Sequence, residues 1–75
     1  ARDVNNFRGE GLSLSNLGLV AAQQKYYDRA IKLFEAAVSL QRRARDSFAE
    51  ALTLNYLGDT YQAIHRYRES TGAYG

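Results

Sequence analysis

The sequence predicts an all-α chain in which one helix-turn-helix unit is used twice, the second time incompletely. Three observations carry that reading. First, the stretch Leu54-Asn55-Tyr56-Leu57-Gly58-Asp59-Thr60-Tyr61 has a weaker copy in Leu14-Ser15-Asn16-Leu17-Gly18-Leu19-Val20-Ala21, at a constant offset of 40 residues. A fixed period of this size marks a supersecondary unit that stacks on its own copy. Second, the apolar residues of each copy recur at i, i+3, i+4 and i+7, the spacing of one helix face. Third, the chain holds no proline and no low-complexity linker, so nothing interrupts the helical pattern except short polar breaks.

Taken in order, residues 1–6 carry no periodic apolar pattern and read as a tail or connector. From Phe7 the spacing turns helical, and Leu14, Leu17, Gly18 and Ala21 define a stripe on a first helix at about 7–23. Gln23 to Tyr26 forms a polar break. Asp28 then favours a helix start, because a carboxylate there meets unpaired N–H groups and the positive end of the helix dipole. The second helix shows Tyr27, Ala30, Ile31, Phe34, Ala37, Val38 and Gln41 on one face and runs to about Ala44. It ends among Arg42, Arg43 and Arg45, cations suited to a helix C-terminus. Ser47 with Glu50 three residues on has the form of a capping box and starts a third helix at about 47–63. A break is expected near His65, followed by a fourth segment at 67–74. The units are therefore 7–46 and an incomplete 47–75.

Composition narrows the function classes. Seventy-five residues make at most one small domain. Ten Lys and Arg stand against eight Asp and Glu, and a net charge of +2 is too small to imply a nucleic-acid or acidic-lipid partner. No apolar run exceeds four residues (Leu19–Ala22), which leaves neither a membrane span nor a signal peptide. Cysteine is absent, which excludes a disulfide scaffold and fits a reducing, cytoplasmic compartment. Methionine is absent too, even at position 1, and the second unit stops partway, so the expectation is a piece of a longer array.

Glycine in a helix interior costs roughly 1 kcal/mol against alanine. Gly18 and Gly58 occupy matching places on the two apolar stripes, and both are read as close-packing positions, facing Ala30/Phe34 and Ser70/Tyr74.

Here the pattern resembles the tetratricopeptide repeat family. The first copy reads Leu14-x-x-Leu17-Gly18-x-x-Ala21 followed by Ala30-x-x-x-Phe34; the second reads Leu54-x-x-Leu57-Gly58-x-x-Tyr61 followed by Ser70-x-x-x-Tyr74. The period of 40 rather than the common 34 is similar to the family's longer-repeat class. Lys25 and His65 stand where the family often has a turn glycine, so the third and fourth helices either turn at His65 or fuse. The resemblance implies an α-solenoid whose first helices line a concave groove that binds a peptide or protein segment. Mapped onto this chain, the groove candidates are Ser15, Asn16, Leu19 and Gln23, then Asn55, Tyr56, Asp59 and Gln62. In the longer-repeat class an Asn at the place of Asn16 often hydrogen-bonds an extended peptide backbone; Tyr56 holds that place in the second copy. Asp59 is the only charge in the set, which suits a neutral or mildly basic segment.

Other chemistry is weaker. His65 is the sole histidine, no serine and carboxylate align with it, and phosphate-cradling and zinc-ligand spacings are missing, so neither an enzyme nor a metal or cofactor site is expected. The alternative to peptide binding is a homo-oligomerisation module, swapped through fused third and fourth helices, since Phe34, Val38, Leu57, Tyr61 and Tyr74 should leave an open apolar patch. A distant third is nucleic-acid binding through Arg42, Arg43, Arg45, Arg66 and Arg68; the helix dipole with Asp46 and Glu50 accounts for the first three.

Overall fold

Three helices follow one another in the computed structural model: α1 (Val4–Gln23), α2 (Tyr27–Arg43) and α3 (Ser47–Thr71). It describes residues 4–71, with side chains from 6 to 69. The helices start and stop for local reasons. α1 begins three residues before Phe7, inside the segment read as a tail, because nothing between Val4 and Phe7 breaks a helix. The Phe7 ring, 6.0 Å from the Arg43 guanidinium, ties that first turn to the end of α2.

Both interhelical turns use the same device. At the end of α1 the Tyr26 N–H donates to Ala21 O at 2.9 Å and the Lys25 N–H to Ala22 O at 3.0 Å. At the end of α2 the Asp46 N–H donates to Gln41 O at 2.9 Å and the Arg45 N–H to Arg42 O at 3.0 Å. These paired bonds close the last turn of each helix and require a left-handed residue after it. Lys25 (φ 68°) and Arg45 (φ 55°) fill that place without being glycine. An L side chain in that region costs about 1–2 kcal/mol. Lys25→Gly is therefore expected to stabilise the fold by about 1 kcal/mol, a rise of roughly 4–8 °C in the melting temperature of a domain this small. A thermal melt of the exposed Lys25 variant that matches the wild type would contradict the strain assigned to this turn.

The start of α3 differs by one residue from the capping box read in the sequence. Asp46, not Ser47, caps the helix: its Oδ1 accepts from the Ala49 N–H at 3.3 Å. Glu50 reaches sideways instead, and its Oε2 accepts from Arg42 Nε at 2.6 Å. Arg8 Nε donates to the other Asp46 oxygen at 3.4 Å. Arg42 and Arg43 are thus held by Glu50 and Phe7, partners within the chain.

The break expected near His65 does not occur. α3 runs unbroken to Thr71, so the third and fourth segments are one helix over the described residues. His65 Nε2 lies 2.6 Å from Glu69 Oε1, an i, i+4 contact that joins the two sides of the expected turn. The repeat explains why no new helix starts here. Asp28 sits in the first turn of α2, but its counterpart forty residues on is Arg68, a cation where the dipole favours an anion.

α2 is the central element. Its stripe of Ala30, Phe34, Ala37, Val38 and Gln41 is buried by α1 on one side and α3 on the other. The core cluster joins Ala21 of α1, Ala30, Phe34 and Val38 of α2, and Leu57 of α3. Phe34, with 0% exposure, packs against Gly18: a Cβ on Gly18 would stand 2.6 Å from the ring. The apolar patch expected from Phe34, Val38 and Leu57 is therefore not open, because α3 folds over it; Tyr61 remains 52% exposed, and Tyr74 lies outside the described residues. Gly58, read as a packing residue like Gly18, is exposed, since the segment meant to cover it continues straight on in α3. None of the three helices is long and apolar enough to cross a membrane.

Candidate partner-binding cleft

α1 and α3 lie across α2 and touch through small polar side chains. The Thr53 hydroxyl donates to Ala49 O at 3.0 Å. Its single proton is thereby used, so Ser15 Oγ donates across the 3.3 Å contact to Thr53 Oγ1. Ser15 and Thr53 are buried, at 4% and 1% exposure. Thr60 likewise turns its hydroxyl back to Tyr56 O at 2.8 Å, which saturates its donor without a cross-helix partner. Beyond the Ser15–Thr53 contact the helices part.

The opening is a cleft of about 260 Å³. Leu19, Ala22 and Gln23 form its α1 wall, and Tyr56, Asp59, Thr60 and Ala63 its α3 wall. α2 supplies the floor through Tyr27 and Phe34. The Phe34 and Tyr56 rings are 5.7 Å apart and tilted by 37°, a favourable aromatic pair. Tyr27 also meets Tyr67 edge-on at 6.4 Å. The result is an apolar, aromatic trough with an amide at one lip and a carboxylate at the other. Its volume falls just below the usual range for ligand pockets, the size for a side chain or two of a docked segment rather than a cofactor.

A family model described as tetratricopeptide repeat matches residues 10–74. The chain belongs to the tetratricopeptide repeat family. A comparison with curated proteins gave no match, and neither did one with solved structures.

With the family fixed, the eight groove candidates sort by position. Leu19, Gln23, Tyr56 and Asp59 meet in the one cleft, two from each wall. Ser15 is buried in the helix contact beneath it. Asn16 is exposed one turn before Leu19, on the flank of α1 that carries Gln23. Asn55 and Gln62 are exposed and do not line the cleft; they stand about 80–120° around α3 from Tyr56 and Ala63, next to the Asp59 edge. Asn55 there neighbours Phe48, Ala51, Leu52 and Leu54. Reading the sequence missed Ala22, Tyr27, Phe34, Thr60 and Ala63. Their signal was the helical turn itself: Ala22 and Ala63 follow Leu19 and Asp59 by three and four positions.

Proposed function

We propose that this tetratricopeptide repeat chain binds an extended segment of another protein in the cleft between α1 and α3. Repeats of this family are interaction modules that bind proteins or peptides and are typically non-catalytic. The observation that carries the reading here is the convergence of Leu19, Gln23, Tyr56 and Asp59 from two helices onto an aromatic floor. An apolar side chain of the segment rests on Tyr27 and Tyr56, which the buried Phe34 ring supports from beneath. The Gln23 amide, which both donates and accepts, fixes the segment's backbone, and Asn16 continues that polar track one turn further. Asp59 selects a neutral or mildly basic sequence.

The test is selection from a random-peptide library displayed on phage, with binding of the selected peptides measured to wild type and variants. Peptides with an apolar residue beside Lys or Arg are expected. Leu19→Asp should weaken them by at least about thirtyfold, the effect of losing a central anchor of roughly 2 kcal/mol. Leu19 is only half-buried, so the fold should survive that change. Selected peptides that bind Leu19→Asp and Asp59→Lys as tightly as the wild type would place the groove elsewhere.

A further inference from the structure

We propose that α3 pairs antiparallel with α3 of a second copy of this chain, the two Gly58 residues meeting at the two-fold axis. The starting observation is a glycine that no described residue packs against. Gly58 stands in the middle of α3, where its backbone freedom weakens the helix, yet it is exposed. Among the described residues no atom comes within 4 Å of a Cβ built on it. At the equivalent Gly18 the same opening is filled by the Phe34 ring, whose atoms stand 2.6–3.0 Å from the Cβ position. The helix that would cover Gly58 by folding back at His65 does not fold back, since α3 continues to Thr71.

The face around Gly58 is complementary to itself. At 100° per residue, Ala51, Gly58 and His65 run along its middle, Leu54 and Tyr61 along one flank, and Asn55 and Gln62 along the other. A second α3 turned end for end about Gly58 sets Leu54 beside Tyr61 of the second copy, twice over. The same turn sets Asn55 beside Gln62, whose amides each donate and accept and so pair in either sense. Ala51 faces His65. Leu54 and Tyr61 are 44% and 52% exposed, so their burial is available to the pair. None of the seven positions is Asp, Glu, Lys or Arg, so like charges do not meet across the axis. This end-to-end symmetry is what an isologous interface requires and what a foreign helix has no need of. The face lies opposite Thr53 and Thr60, which pack into the fold, and its Asn55 and Gln62 flank borders the cleft at Asp59. One helix pair buries less than the roughly 1,200–2,000 Å² of a stable complex, so the dissociation constant should fall in the micromolar to sub-millimolar range.

Sedimentation equilibrium of the full chain over that range should show a monomer–dimer equilibrium. Gly58→Lys should weaken it about tenfold or more. Its helix content should be unchanged, because the new side chain meets nothing in the monomer. The chain has no cysteine, so introduced ones report the register. Copies with Leu54→Cys mixed with copies with Tyr61→Cys should oxidise to the mixed dimer faster than Leu54→Cys joins to itself. Across the proposed axis two Leu54 positions lie about 12 Å apart along the helix, beyond disulfide reach. A chain that stays monomeric at millimolar concentration overturns the proposal, as does a Gly58→Lys variant that dimerises like the wild type. Self-joining of Leu54→Cys as fast as the mixed reaction overturns it as well.

Discussion

Phe34→Ala is expected to remove most or all of the folded state. The ring is completely buried and packs with all three helices: it fills the space over Gly18, lies tilted against Tyr56 and belongs to the cluster with Ala21 and Leu57. Truncating a buried phenylalanine costs about 3–5 kcal/mol, the lost transfer energy plus the cavity. A small domain is stable by only about 5 kcal/mol at the low end, so the loss is of the same size as the total. The far-ultraviolet circular dichroism melt should lose its cooperative transition or shift down by roughly 12 °C or more. Phe34→Leu keeps much of the volume and should retain a cooperative melt while weakening the aromatic floor of the cleft. An alanine variant that melts within about 1 kcal/mol of the wild type would mean that Phe34 does not anchor the core.

How much of this was legible in the sequence depended on how far each feature reaches along the chain. The α1–α2 hairpin was readable because its determinants are close in sequence: Gly18 and Phe34, Asp28 at the start of α2, and the polar break between Gln23 and Tyr26. The capping of α3 was read one residue late, since Asp46 and Ser47 are both good caps and only the geometry of the preceding turn decides between them. The straight run of α3 was readable in principle, as the exchange of Asp28 for Arg68 removes the dipole signal for a new helix. Burial was the least legible. Leu17 and Leu57 occupy the same repeat position, yet Leu17 is 54% exposed and Leu57 only 9%. Identical local patterns gave opposite environments because α3 has α2 before it in the stack and α1 has no described helix before it. The cleft shared that fate. All eight groove candidates come from the register of the repeat; Leu19, Gln23, Tyr56 and Asp59 line one cleft and Asn55 and Gln62 do not, because register does not say which side of the last helix faces a neighbour.

The same asymmetry gives the two glycines opposite mutational signs. Gly58→Ala should stabilise the chain by about 1 kcal/mol, because the methyl group enters open space and alanine is the better helix former. Gly18→Ala gains the same propensity but drives its methyl to 2.6 and 2.7 Å from Phe34 Cε1 and Cδ1. Those are ring atoms of a fully buried side chain, which cannot swing aside as a lysine tip would. Phe34 must leave its rotamer or α1 must move off α2, and such overpacking costs about 1–3 kcal/mol. The net expectation for Gly18→Ala is a loss of up to about 2 kcal/mol. The two variants should therefore differ by roughly 1–3 kcal/mol although they make the same substitution at equivalent repeat positions. Denaturant titrations of both, run dilute enough that every sample is monomeric, measure the difference directly. Equal shifts would mean either that Phe34 yields to Gly18 or that α3 folds back over Gly58 in solution. A double variant carrying Gly18→Ala and Phe34→Leu separates these, since a smaller side chain at 34 relieves the clash at residue 18 and leaves residue 58 untouched.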